Sequence, residues 1–407
     1  MFTNLAMEAE GDKPQQETEN LSCSLDEVDY PPNNYIYRWI DGLFVVGGMI
    51  TFFVDWGFDI LTAYTHWKHN DVIWFTLTVI FIGVPSLVMT VVSLHWYIKD
   101  GDNPDVPKAS MVRWVVRIIV LLFQLGPVLR YFDALYHGIK SRRYWKEGDK
   151  KQQQAYYTLM LYEDSDGVFL RLFECFMEAA PQLVLQLYIL TQKPESVEYN
   201  RKWQYVLSLG CVTSLVSLAW GMTAYARGSR FTNQEKNNIS KLGTCVLFLW
   251  QSFSIGARVI ALVLFASKFR LYVLVVCLGH WIFMAVWLIS RRSFSKVCSR
   301  VLGECLLSCV LGVVYIFVFI NDKDEPTRKK YVFYYFVCGI ENLAMVTMFL
   351  IFTDPSTWYY IPGTVIHFIL FALGLAFMGM YYMVLHPTLS KTPASQAQRM
   401  QRSQVGS

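Results

Sequence analysis

The sequence predicts an all-α polytopic membrane protein, on the basis of its composition and of its apolar runs. The 407 residues are 54% hydrophobic and 16% aromatic but only 17% charged, which is too apolar for an ordinary soluble domain. Ten apolar runs follow one another, and most reach the roughly 20 residues with which a helix crosses a bilayer. Because open backbone is not tolerated in lipid, each run is expected to be helical. The runs lie approximately at 40–66, 72–98, 115–136, 167–190, 203–226, 242–266, 271–290, 301–320, 331–353 and 360–385.

Two of these runs are predicted to be re-entrant half-helices. In the third run, Arg117 and Arg130 leave only 12 apolar residues between them, and Gly126-Pro127 interrupts these. Basic residues flank both ends of the third and eighth runs, and cytosolic loops are the ones enriched in Lys and Arg. We therefore expect about eight transmembrane helices plus two re-entrant half-helices, with both termini in the cytosol.

The positions of the two exceptional runs, third and eighth of ten, divide the chain into two pseudo-symmetric halves. Residues 1–35 are predicted to form a disordered, acidic cytosolic tail. Residues 36–235 form the first membrane half and residues 236–387 the second. Residues 388–407 form a cytosolic C-terminal tail.

The fourth run carries the main functional signal. It reads LRLFECFMEAAPQLVLQLYIL, and its polar residues recur at spacings of three, four, four and four, which places them on one helix face. A charge at mid-membrane costs roughly 2.5 to 3.5 kcal/mol, so this face is expected to meet protein, water or a polar ligand. We call it the polar stripe and predict that it lines a path through the membrane. Its members are Arg171, Glu174, Glu178, Gln182 and Gln186.

Three further charges lie deep in apolar runs. Asp55 and Asp59 are four residues apart in FFVDWGFDIL, and Arg258 lies in SIGARVIALVL. Because such charges need partners inside a bundle, we predict a structural Asp59–Arg258 pair that joins the two halves. Asp55 is assigned to the path that the polar stripe lines.

Enzyme chemistry has little support in the sequence. No phosphate-binding loop, zinc-protease motif or nucleophile elbow is present, and the His and Cys residues show no metal-ligand spacing. We therefore expect no enzyme, no cofactor and no metal. The net charge of +4 is distributed among loops, which makes a nucleic-acid partner improbable.

Several motifs together resemble the XK-related family of membrane proteins. They are the fourth run itself, FVDWGFDI, QLGPVLRY at 124–131, SLVSLAW at 214–220, ARVIALVLFA at 257–266 and YYMVLHP at 381–387. Family members implicated in apoptosis are phospholipid scramblases, which let lipids equilibrate between the plasma-membrane leaflets and so expose phosphatidylserine. The resemblance implies an ATP-independent lipid path, and it places Asp55, Asp59, Glu174, Glu178 and Arg258 in the family's buried charged set.

The lipid path gives the charged residues definite roles. A headgroup crosses hydrocarbon only where polar groups replace its water. We expect Arg130 and Arg171 to receive the phosphate and the carboxylates to receive amino or choline groups. The partners implied are membrane phospholipids, including phosphatidylserine, together with a single-pass immunoglobulin-like protein or a second copy of the chain.

The N-terminal tail contains a candidate switch. Asp26, Glu27, Val28 and Asp29 form the tetrapeptide that executioner caspases prefer, in a polar stretch where a protease binds an extended chain. Cleavage after Asp29 is therefore predicted to activate the protein. Family scramblases are commonly cut near the C-terminus, but the residues after Pro387 contain no Asp.

Two other functions remain open on the sequence alone. The same polar stripe would serve a small-molecule transporter or channel. A protein that transports nothing and stabilises another membrane protein is the third interpretation.

Overall fold

The computed structural model describes residues 36–101, 110–123, 125–192, 201–231, 239–291, 301–320 and 328–385, and within these ranges the regular elements are helical throughout. The helices are α1 (Trp39–Lys68), α2 (Val72–Gly101), α3 (Met111–Leu122), α4 (Gly126–Glu147), α5 (Lys150–Glu174), α6 (Ala180–Gln192), α7 (Arg201–Phe231), α8 (Lys241–Phe269), α9 (Tyr272–Ser290), α10 (Val301–Tyr315), α11 (Arg328–Phe352) and α12 (Tyr360–Met380). Two π-helical turns occupy Cys175–Ala179 and Tyr381–Leu385. The predicted all-α class is confirmed.

Seven segments in the described part of the chain are long and apolar enough to cross a membrane, which confirms a polytopic membrane fold. They are Asp41–Lys68, Val72–Lys99, Ser208–Gly228, Lys241–Phe269, Tyr272–Ser290, Lys330–Phe352 and Tyr360–Leu385. The fourth run of the sequence is not among them, because it carries the polar stripe. It forms the second part of a helical rod that runs through α5, the first π-turn and α6. That this rod is the eighth span stays a prediction.

The third and eighth runs both contain helices that are too short to span a bilayer. α3 ends at Leu122 and α4 begins at Gly126, with Pro127 in its first turn, where a missing N–H costs least. α10 has 15 residues, a length of roughly 22 Å against about 30 Å of hydrocarbon. The chain then leaves the helix, yet residues 316–320 are buried. Non-helical backbone at membrane depth is tolerated only in such a protein-lined setting.

α8 lies at the centre of the bundle. About two thirds of the residues in its most apolar stretch are buried, against 12% in α1 and 11% in α12. α8 contacts α6, α7, α9, α11 and α12, whereas α1 packs against α2 and α4 at the edge. The apolar side chains that α1 and α12 expose are suited to lipid contact.

The chain just before α1 is fixed to the α4–α5 hairpin. Tyr37 is buried and packs with Tyr157 and Met160 of α5. On α4, a Cβ added to Gly138 would lie only 2.4 Å from the Tyr37 ring. Gly138 is therefore the residue that lets this ring lie flat against α4.

We predict that Gly138→Ala displaces Tyr37 and destabilises the protein by about 1 to 3 kcal/mol, because the added methyl overlaps the ring. Gly83→Ala on α2 is the matched control, since nothing lies within 4 Å of its Cβ position, and it is expected to be neutral or slightly stabilising. Thermal unfolding of the two variants in detergent measures the difference. Equal melting temperatures would contradict the assigned contact.

Candidate functional site

The polar stripe lies inside the protein. Glu174, Glu178, Gln182 and Gln186 are each 5 to 7% exposed, along the rod formed by α5, the π-turn and α6. Pro181 follows the end of the π-turn by two residues and has no N–H for the carbonyl four residues earlier. The N–H of Ala180 instead bonds to the carbonyl of Cys175, five residues back, which widens the helix at the level of Glu178.

Part of the stripe has no hydrogen-bond partner. The stripe atoms that lack a partner among the described residues are Glu174 Oε2, Gln182 Nε2 and both amide atoms of Gln186. Leaving a buried polar atom unpaired costs about 1 to 3 kcal/mol, so native proteins rarely tolerate several in a row. This row is therefore suited to a polar ligand or to water.

One end of the stripe is joined to α1 and α7. Arg171 bonds to Glu174 on its own helix and to Asp55 of α1. Its Nη2 also lies 3.2 Å from Ser217 Oγ of α7, and that hydroxyl lies 3.4 Å from the Asp55 carboxylate. The Asp55 side chain is 37% exposed, against 11% for Arg171. This ion-pair cluster is therefore open on the α1 side.

Asp59 follows Asp55 by one helical turn and lies beside Glu178 and Gln182. The structure thus brings the two aspartates of α1 and the polar stripe into one site, as the sequence predicted for Asp55. Ser217 was missed, because a single serine in an apolar run gives no periodic signal.

The predicted Asp59–Arg258 pair is wrong. Arg258 donates from Nη2 to Glu341 Oε2 at 2.6 Å and from Nη1 to Asn342 Oδ1 at 2.8 Å, both on α11. Its Nε donates to the carbonyl of Ile316 at 3.0 Å. Glu341 and Asn342 give no periodic signal in the sequence, since they are two adjacent polar side chains in a long apolar stretch.

The physical reason for this arrangement is the end of α10. The last carbonyls of a helix have no partners within it, and in a membrane protein they need donors from elsewhere. Tyr334 donates its hydroxyl to the Tyr315 carbonyl at 2.9 Å, and His280 Nε2 lies 2.9 Å from the same oxygen. His280 Nδ1 lies 2.9 Å from Glu341. We call this set the Arg258 network; its members are Arg258, His280, Tyr334, Glu341 and Asn342.

Arg130 also differs from its predicted role as a phosphate receiver. Its side chain is 1% exposed, with Nη1 2.7 Å from Glu163 and 3.4 Å from Asp166, both on α5. The guanidinium also lies 3.8 Å above the Tyr97 ring. Because two carboxylates already balance its charge in a closed setting, Arg130 clamps α4 to α5, and we correct its assignment to the path.

A similar pairing fixes the first half-helix. Arg117 of α3 bonds to Asp133 of α4 at 2.8 Å, and Arg113 lies 3.3 Å from the same carboxylate.

The predicted caspase residues Asp26 to Asp29 lie outside the described residues.

Long apolar helices around a central α8, together with a buried polar face, define a polytopic helical membrane protein with an intramembrane polar site. The family model for XK-related proteins matches residues 43–387. The chain belongs to the XK-related family, which confirms the resemblance that the motifs indicated.

Two relatives cover almost the same extent. XK-related protein 8 of Gasterosteus aculeatus is 30% identical over 369 residues, which span 88% of this chain and 87% of that protein. XK-related protein 8 of Tetraodon nigroviridis is 28% identical over 372 residues, which span 89% of this chain and 87% of that protein.

A double-mutant cycle tests the corrected pairing. Arg258→Gln removes the guanidinium that pairs with Glu341 and donates to the Ile316 carbonyl, and removing one partner of a buried pair costs about 3 to 5 kcal/mol. We expect Arg258→Gln and Glu341→Gln to couple by about 0.5 to 3 kcal/mol, because the residues are in direct contact. The free energy of unfolding in mixed micelles is the readout.

Asp59→Asn combined with Arg258→Gln is the matched control. These effects should add to within about 0.5 kcal/mol, because the two residues bond to different partners. Strong coupling between Asp59 and Arg258 would restore the original pair and contradict the structure.

Proposed function

We propose that the chain is a phospholipid scramblase that moves lipids between the plasma-membrane leaflets without ATP and exposes phosphatidylserine on apoptotic cells. The observation that carries this proposal is the row of buried, unpartnered polar atoms along α5 and α6. Membership of the XK-related family supports it.

The stripe supplies what a headgroup needs at membrane depth. A zwitterionic headgroup loses its water in about 30 Å of hydrocarbon unless protein groups replace that water. Gln182 and Gln186 offer amide donors and acceptors, and Glu178 offers a carboxylate for an amine or choline group. Arg171 offers a guanidinium for the phosphate. It is held by Asp55 and Glu174, so a lipid phosphate exchanges with these carboxylates and binds only transiently.

The edge position of α1 supports a path that is open to the bilayer. α1 is the helix that carries Asp55, and most of its surface is exposed. A lipid whose headgroup follows the stripe then keeps its tails in the membrane beside α1. This arrangement favours scrambling over a closed solute channel, because a channel needs no opening towards lipid.

We further propose that cleavage after Asp29 activates the protein. Residues 1–29 hold eight carboxylates and one lysine, so the cut removes a strongly acidic segment. The remaining chain enters the structure at Tyr37, which is fixed to the α4–α5 hairpin. The tip of that hairpin, residues 140–151, holds six cations and two carboxylates. Opposite charges attract one another across about 10 Å at moderate salt. An acidic segment held against these cations restrains the protein until it is cut.

The function is tested with purified protein in liposomes. A fluorescent lipid reports leaflet exchange before and after caspase treatment, and an enclosed soluble dye reports leakage. Lipid exchange without dye leakage supports the scramblase. Dye or solute flux without lipid exchange would select the transporter or channel, and neither flux would leave a non-transporting partner protein.

Glu178→Gln is predicted to slow lipid exchange by about tenfold or more, because it removes the negative charge at the widened turn while keeping the shape of the side chain. The melting temperature is expected to stay close to that of the wild type. Glu147→Gln is the control, since Glu147 pairs with Arg143 on the exposed end of α4. Unchanged exchange in Glu178→Gln would remove this residue from the path.

Asp29→Ala is predicted to leave the chain at full length in caspase-treated cells and to abolish phosphatidylserine exposure that depends on it. Asp12→Ala serves as the control, because it removes one tail charge outside the tetrapeptide. Immunoblotting of an N-terminal tag and annexin binding are the two readouts. A fragment of unchanged size from Asp29→Ala would show that another bond is cut.

A further inference from the structure

The buried face of α10 begins with two polar residues. Glu304, Ser308, Leu311 and Tyr315 follow one another at spacings of four, three and four, so they share one side of the helix. Each of them is buried: Glu304 is 8% exposed and Ser308 is fully enclosed. The last two belong to the central apolar core, which fixes the direction in which this face points.

Both polar residues carry a buried atom that lacks a hydrogen-bond partner within the described part of the chain. Glu304 Oε1 and Ser308 Oγ lack a hydrogen-bond partner among the described residues, and no cation there forms an ion pair with Glu304. A buried carboxylate oxygen and a buried hydroxyl that lack these partners, one turn apart on the same face, are costly unless a ligand or water meets them.

α10 packs beside the helix that carries the polar stripe. The core that contains Leu311 and Tyr315 also contains Phe173 and Phe176, which flank Glu174 on the rod. α10 also contacts the π-turn that carries Glu178. Glu304 and Ser308 therefore lie on a helix that adjoins the one carrying the polar stripe.

The depth of the pair follows from the helix. The Arg258 network holds the last carbonyls of α10, and Glu304 lies eleven residues before Tyr315, or roughly 16 Å along the axis. The chain just before α10 contains Arg291, Arg292, Lys296 and Arg300, which marks that end as the cytosolic one. The pair thus lies between the middle of the bundle and the cytosolic surface.

We propose that Glu304 and Ser308 form a binding site for the amine or choline group of a phospholipid at the cytosolic end of the path. The inference rests on the proposed function and adds a second wall to its route. The carboxylate pairs with the ammonium charge, and the hydroxyl donates to a phosphate oxygen of the same headgroup. The site speeds the exchange of lipids that carry a cationic group, and it does not speed the exchange of lipids without one, such as phosphatidylglycerol.

The test compares tail-labelled phosphatidylcholine, phosphatidylethanolamine and phosphatidylglycerol in liposomes that contain the full-length chain, cleaved or intact, whichever form exchanges lipid. We expect Glu304→Gln to slow the two amine-bearing lipids about tenfold while phosphatidylglycerol changes less than about twofold, because only the former pair with the lost charge. Glu304→Asp is expected to recover a large part of the rate.

Ser308→Ala keeps the test informative if Glu304→Gln fails to fold. Ser308 has no bond to lose, so the alanine variant should melt no lower than the wild type, yet it should slow the amine-bearing lipids. Equal slowing of all three lipids by Glu304→Gln, or no slowing by either variant, would overturn the site. Absence of lipid exchange in the wild type would reject the proposed function itself, which is a different outcome.

Discussion

Polar atoms at membrane depth must be satisfied without bulk water, and this constraint organises the whole structure. It explains why Arg258 turns away from Asp59. A half-helix that ends inside the bundle leaves carbonyl groups exposed, and Arg258, His280 and Tyr334 converge on the carbonyls of Tyr315 and Ile316. The same constraint places Arg117 and Arg130 against carboxylates of α4 and α5.

The stripe on α5 and α6 holds several of the buried polar atoms that lack a partner among the described residues. Its glutamines keep amide atoms without partners, although they are as buried as the clamps. A protein tolerates such a cost where another molecule satisfies those atoms during function. The π-turn before Pro181 widens the rod at this place, and the exposed side of Asp55 opens the neighbouring cluster towards α1. Ion pairs elsewhere in the bundle thus fix the helices around a site in which some polar atoms are not paired.

Sequence reasoning succeeded where a pattern repeats. Most apolar runs coincide with a helix, although α4 and α5 extend well beyond the third and fourth runs into polar sequence. Gly126-Pro127 marks the break between α3 and α4, and the spacing of the stripe predicts its burial. It failed for single polar residues. Glu341 and Ser217 give no periodic signal, and the choice among several acids for Arg258 depends on where α10 ends in three dimensions. The π-turn before Pro181 is also not revealed by the helical pattern of apolar and polar residues.

The most direct measurement is a structure of the protein in lipid nanodiscs at a resolution that shows ordered water and lipid headgroups. We expect non-protein density within hydrogen-bond distance of Gln182, Gln186 and Glu174 Oε2, continuous with lipid beside α1. A stripe whose amide atoms all bond to protein side chains, with a sealed contact between α1 and α7, would contradict the account.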